Sequence, residues 1–379
     1  MRIGTPGFIG ARLTEAREAR GIAQTELGEL TGIKPQSICH YEQGRQSPSP
    51  EALTLLSEKL LLPERYFLRA VPPQQQEPVF PCLRSASRLE RVKAEHRLGW
   101  LSELTRYVGE YVELPPLRLP GAPPLAPESL SADDIESAAT AARAHFLQGA
   151  GPIPGMTTLL ENHGCIVTTW PAAECGCGGF LQIRDSVPYL ALSMAGHHPS
   201  QTQVSAAHAL GHLILHRKLT TAQRNDGQPH ELLEHQADHF ARAFLLPARS
   251  FGKEVWAPTI DALLALKRVW NCPVGVMVKR CGDLGVFDPE QVRRAFTNIG
   301  RRGWKSDEPL EHETHALPEG LLARSLRLLV DSGIKDGHTL LAEMALSAAD
   351  IEDLTGLPTG YLRDGEALIP VAPRLRQTA

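Results

Sequence analysis

Two histidines four residues apart, His208 and His212 in "AAHALGHLILH" (206–216), are the first residues here whose spacing suits chemistry. On an α-helix, positions i and i+4 lie one above the other, so both imidazoles can reach one metal ion. In a hydrolytic helix of the form H-E-x-x-H, the second position carries the glutamate that takes a proton from water at the metal. That position here is Ala209. On a 3.6-residue period, Val204, Ala207, His208, Gly211, His212 and Leu215 share one face. A lone histidine on such a face is usually a satisfied core residue. A pair at this spacing, beside a glycine that permits close approach, is a candidate pair of ligands. A catalytic-type zinc site needs a third. A histidine six residues beyond His212 would supply it, but that position is Lys218. The other common solution is a glutamate on a following helix. "ELLEHQADHFARAFLLP" (231–247) places Glu234 on one face with Ala237, Ala241, Phe244 and Leu245. A carboxylate heading an apolar face is costly to bury without a partner, and zinc would be such a partner. The competing reading is an exposed glutamate at a helix start, favoured by the helix dipole. His235 and His239 fall on other faces.

These ligands need elements to position them. "CIVTTW" (165–170), "GFLQI" (179–183) and "PYLALS" (188–193) are short, partly β-branched runs separated by Gly, Asp and Pro, and read as three strands. The helical period returns at Val204 and persists through Leu246. A free sheet edge can pair with the backbone of an extended peptide, so "GFLQI" or "PYLALS" is a candidate for that role. Tyr189 is either a substrate contact or a core tyrosine. Cys175 and Cys177 lack the C-x-x-C redox spacing and read as loop residues. Ser131 with Asp134 forms a helix-start signal before "IESAATAARAHFL".

Upstream, residues 7–21, 23–32, 33–45 and 49–62 read as four short helices, with Gly21 and Gly32 closing the first two and Pro35 opening the third. Two short helices joined by a tight glycine turn describe a helix-turn-helix. Residues 71–81 and 113–130 are Pro-rich breaks around a charged helical stretch, 84–112. Beyond 251 the chain is mostly helical, with breaks near 300–318 and 356–360. The expected division is therefore 1–70, 71–130 (linker and helical connector), 131–250 and 251–379. The expected fold class is α+β: an all-α module, then a small sheet with site-bearing helices, then a helical C-terminal region.

Composition bounds the rest. With 42% hydrophobic and 22% charged residues, the chain has the balance of a globular protein. No apolar run reaches the length of a membrane span. The N-terminus lacks an apolar signal core. Seven scattered cysteines point to reduced thiols in a cytoplasm rather than a disulfide framework. A net charge of −4 gives no global sign of nucleic-acid binding, so such a reading must rest on a local motif. Within residues 1–69, nine Lys/Arg against eight Asp/Glu leave about +1.

That motif is "Q-x-E-L-G-E-L-T-G" followed by "Q-S-I-C-H-Y-E-Q-G-R-x-S-P", which resembles the XRE (Cro/repressor-like) helix-turn-helix family over about 60 residues. The resemblance implies a double-stranded DNA operator as partner. It places Gln36, Ser37 and His40 toward bases with Lys34 near them, and Gln24 and Arg45 at phosphates. It also implies a homodimer reading paired half-sites. Further on, "GPIPGMTTLLENHGCIV", the strand runs, "HALGHLILH" and "E-x-x-A-D-x-F-A-R-A-F-L-L-P" resemble the ImmA/IrrE zinc metallopeptidases. "LKRVWNCPVGVMVKRCGDLGVF" and "RRGWKSDEP" resemble the tail of longer members that carry an N-terminal XRE domain. That resemblance implies a zincin-like domain with Zn2+ on His208, His212 and Glu234. It implies a cytoplasmic regulator that cleaves itself or a partner repressor in response to a signal. The general-base position falls at Ala209, so the resemblance also implies zinc binding with hydrolysis largely abolished. Two other readings use the same residues: a non-enzymatic transcription factor whose peptidase-like domain senses a small ligand, or a binding protein that uses both domains for protein partners.

Overall fold

A computed structural model describes residues 4–72, 80–81, 87–170, 179–194, 199–219, 230–305, 307–311 and 317–362. The fold class is α+β. Four helices open the chain: α1 (Gly10–Ala19), α2 (Gln24–Thr31), α3 (Pro35–Glu42) and α4 (Pro50–Leu60), followed by a 3-10 turn at Glu64–Leu68. Gly32 ends α2 in the left-handed region at φ 71°, which permits the tight turn into α3. Leu13, Ala16, Leu27, Ile38, Leu53 and Leu56 bury their side chains between these helices.

Strand β1 (Phe80–Pro81) precedes α5 (Arg88–Gly109), whose start is closed by reciprocal bonds between Ser87 and Glu90. The signal at Ser131 and Asp134 has the same outcome: both close the start of α6 (Ala132–His145). Then come α7 (Met156–Asn162), β2 (Ile166–Trp170), β3 (Gly179–Arg184), β4 (Val187–Ser193), α8 (Pro199–Leu215) and α9 (His230–Leu245). The three strand runs thus form strands within a residue or two of the expected limits. In the sheet, the order is β1-β3-β4-β2, with β4 parallel to β2 and antiparallel to β3. "PYLALS" is therefore an interior strand and has no free edge for a substrate backbone. The outer edge of β3 carries Phe80 and Pro81 opposite Leu181 and Phe180.

The sheet buries both faces. Val167, Leu181, Leu190 and Leu192 join the core built from α6 to α9 and from α10 (Phe251–Glu254), α11 (Ile260–Trp270), α12 (Val274–Asp283) and α13 (Pro289–Arg301). Ile166, Trp170, Phe180, Tyr189 and Ala191 join a second core, shared with the four N-terminal helices, α5, and the closing helices α14 (Leu321–Asp331), α15 (Gly337–Met344) and α16 (Ala348–Thr355). Tyr189 is 3% exposed and lies among the residues of that second core, so it is a core tyrosine rather than a substrate contact. Cys175 and Cys177 lie outside the described residues. Cys39, Cys165, Cys272 and Cys281 are free thiols.

The Pro-rich stretch 113–130 runs along the protein rather than away from it. Arg118 donates its backbone N–H to the His163 carbonyl. The carbonyls of Pro120 and Pro127 accept from Arg217 and Gln236.

Candidate metal centre

Helices α8 and α9 pack directly on one another, and Gly211 sets how closely. A Cβ built at Gly211 would sit 3.1 Å from the Cα and carbonyl oxygen of Ala237 and 3.2 Å from the Phe240 ring. Even a methyl group there would need its neighbours to give by a few tenths of an ångström, so glycine suits this close approach of the helices. This closeness brings the Glu234 carboxylate to the two histidines one turn apart on α8.

His208 Nε2 and His212 Nε2 are 3.0 Å apart. Glu234 Oε2 lies 3.3 Å from the first and Oε1 3.2 Å from the second. Among the described residues this is the one cluster of three or more His, Cys, Asp or Glu side chains whose ligand atoms lie close enough to share a metal ion. A tetrahedral zinc with bonds of about 2.0–2.1 Å would set its donors about 3.3 Å apart, close to the spacing present. The donor set of two imidazoles and a carboxylate is also one that zinc takes. Both histidines are buried, whereas the Glu234 side chain is 20% exposed, which leaves the site open on its α9 side.

The electrostatics fit a cation. Burial acts against ionisation of Glu234, but hydrogen bonds from His208 and His212 outweigh it and hold the carboxyl well below its usual range. Burial lowers the affinity of His208 for a proton, and bonds to Asp238 and Glu234 more than reverse this, so its net shift is upward. Asp238 takes the Nδ1 of His208 at 3.0 Å. It stays ionised against its burial because His208 bonds to it. A carboxylate on Nδ1 leaves Nε2 to face the cluster. His216 is buried one turn beyond His212, and its surroundings hold its pKa down to about 3.

Ala209 is fully buried within the apolar core of this domain. His235 is exposed, and His239 meets Glu136 at 2.9 Å, so neither enters the cluster. Asp238, His216 and Gln236 are the neighbours that sequence reasoning did not assign. The helical repeat from Glu234 to Asp238 and from His212 to His216 was the available signal.

The DNA-reading candidates lie on α2, α3 and their flanks. Lys34, Gln36 and Arg45 are exposed, and Ser37 and His40 are half-buried on α3. Gln24 donates its amide to Glu42 Oε2 at 2.6 Å, and Arg17 holds the same carboxylate at 2.6 Å. Thus α1, α2 and α3 are tied together behind the exposed surface.

Residues 13–67 match the family described as Helix-turn-helix, and residues 176–281 match the peptidase family described as IrrE N-terminal-like domain. The chain therefore joins a helix-turn-helix of the XRE type to an ImmA/IrrE-like domain. The second match spans α8 and α9 and so contains the whole histidine–glutamate cluster. Comparison with curated proteins found no match. Among the described residues, no helix is long and apolar enough to cross a membrane.

Proposed function

We propose that the chain is a DNA-binding transcription regulator whose IrrE-like domain holds one zinc ion on His208, His212 and Glu234 and, with alanine at position 209, does not hydrolyse peptide bonds. The observation behind this reading is the convergence of three metal-type donors beside a fully buried alanine. His208 and His212 would bind through Nε2 and Glu234 through a carboxylate oxygen, while Asp238 orients His208. When bound, zinc supplies Lewis acidity, which lowers the pKa of water toward about 7. Ala209 offers no group to take the proton, and loss of a general base typically costs about 10²–10⁴ in rate. The partners in this reading are a double-stranded operator, read by a homodimer through Gln36, Ser37 and His40, and a protein that the second domain engages: the chain itself or a partner repressor.

The decisive experiment restores the base. Ala209→Glu should still bind zinc and should gain at least about 10²-fold in cleavage of the chain itself or of a partner repressor. Cleavage by the unaltered chain at a comparable rate would refute the silent-site reading.

One observation favours a second reading, a ligand-sensing regulator without proteolysis. A cavity of about 330 Å³ lies between α7, the start of α8 and Leu317–Pro318. Two buried polar atoms on its lining residues, Thr157 Oγ1 and Asn271 Oδ1, have no hydrogen-bond partner. Under this reading Ala209→Glu binds zinc but cleaves nothing.

A further inference from the structure

The zinc reading gives no task to the cavity of about 330 Å³ between α7, the start of α8 and Leu317–Pro318. About eleven waters would fill that volume at about 30 Å³ each, which places it at the lower end of small-molecule sites. Its polar lining is uncharged: Gln148, Thr157, Thr158, Asn162, Gln203 and Asn271. The other described lining residues are Ile, Leu, Pro and Gly, so none of the described ones carries a charge. An ion brought against such a wall would shed water and meet no counter-charge, so the lining selects against charged molecules. A neutral molecule can lay an apolar edge on Ile153, Leu159 and Leu317 and turn its polar groups to the amides and hydroxyls.

The polar groups of the wall divide into two kinds. Gln203 is engaged: its Oε1 accepts from the Met156 N–H at 2.7 Å, and its Nε2 donates to the Ile153 carbonyl at 3.3 Å. It frames the cavity by joining α8 to the residues that open α7. Thr157 Oγ1 and Asn271 Oδ1 have no hydrogen-bond partner. Both oxygens can accept, and a buried acceptor without a donor is unfavourable. They are shielded from water, so a turn of each side chain into the cavity brings them to a ligand. An N–H or O–H on that ligand is what would satisfy them.

We propose that this cavity binds a neutral, ring-sized molecule bearing amide or hydroxyl donors, and that its occupancy shifts operator binding. The cavity lies at a joint. Pro199 and Gln203 belong to α8, which packs in the core of the metal-bearing domain. Leu317 and Pro318 lead into α14, which packs with α5 and the helix-turn-helix. Next to Asn162, Glu161 of α7 accepts from the Leu321 N–H at 2.6 Å and from Arg324 at 3.0 Å, which ties α7 to the start of α14. A ligand that moves this wall therefore acts on both cores. The link to operator binding rests on the ligand-sensing reading; the site itself does not.

The test uses the full chain and two matched pairs of probes, nicotinamide against nicotinate and glucose against gluconate. Within a pair the size is nearly constant and the charge differs. Saturation-transfer NMR titrations should give the better neutral probe a Kd of about 10 mM or tighter, the strength expected of about ten non-hydrogen atoms. Its anionic partner should bind at least about tenfold more weakly. Thr158→Phe, which fills the space from a half-buried position, should abolish binding. Thr157→Val removes an acceptor with little change of shape and should weaken binding about 2–10-fold. Failure of both neutral probes to bind the unaltered chain overturns the site, and this readout does not depend on any variant folding. Anions that bind as well as their neutral partners overturn it too, as does a folded Thr158→Phe protein that binds like the parent. Operator affinity with the probe bound should shift by at least about fivefold. An unchanged operator affinity overturns the link and leaves the site standing. Cleavage by Ala209→Glu would refute the sensing reading without altering the binding results.

Discussion

Glu136 on α6 joins two further helices of the IrrE-like domain. It forms an ion pair with Arg280 of α12, whose side chain is fully buried, and it lies 2.9 Å from His239 of α9. Burial opposes its ionisation, yet the bonds from Arg280 and His239 bring its pKa down to about 2. A carboxyl lowered in the folded state adds stability above its unfolded pKa, near 4.3, and loses it as pH falls toward 2. Glu136→Gln should therefore cost about 2 kcal/mol at pH 7, with the difference from the parent closing between about pH 4.5 and 2. Urea unfolding across that range checks this, and a difference independent of pH would contradict it. The residue scale is also where the sequence was read unevenly. The metal trio could be picked out because ligand chemistry limits residue type and spacing. For Asp238 and His216 the sequence offered only the helical repeat, and for Gln236 not even that, because hydrogen-bond partners of ligands vary in type and are fixed only once two helices meet.

Between elements, the contact of α8 with α9 governs the site. Gly211→Val places a branched side chain where even a Cβ would lie 3.1 Å from the backbone of Ala237. It should destabilise the protein by about 2 kcal/mol and push Glu234 away from the histidines, lowering zinc affinity as well as the melting temperature. A variant that loses stability but binds zinc with parental affinity would show that the helix spacing does not set the donor geometry. Helices and strands were legible from their periods, and so were the starts at Ser131 and Pro35. Strand order was not, because pairing "PYLALS" between two neighbours depends on contacts distant in sequence. The stretch 113–130 read as a break for a related reason. Proline removes backbone donors and stops helices, but its carbonyl still accepts, and Arg217 and Gln236 donate to two of these carbonyls.

Across the whole molecule, the helix-turn-helix shares a core with α5, the back of the sheet and helices α14 to α16. Buried charge pairs cross these contacts. Arg12 meets Glu103 of α5 at 2.8 Å, and Arg20 holds Asp350 of α16 through two bonds at 2.5 and 2.7 Å. Arg65 adds a bond to the Leu341 carbonyl. The C-terminal helices here bury Leu322, Leu326 and Ile351 inside one chain. A double-mutant cycle of Arg20→Ala and Asp350→Ala should give a coupling energy of about 1–3 kcal/mol, and zero coupling would mean that this ion pair does not hold the two ends together. Lys34, Gln36 and Arg45 stay exposed in this arrangement, so under the proposed reading these three remain accessible to an operator. The central claim, a metal centre that has lost its base but kept its ligands, is tested most directly by the zinc content of the full chain beside that of Glu234→Ala. The account predicts about one zinc per chain in the parent and almost none in the variant. A parent without zinc, or a variant that keeps it, would contradict the account.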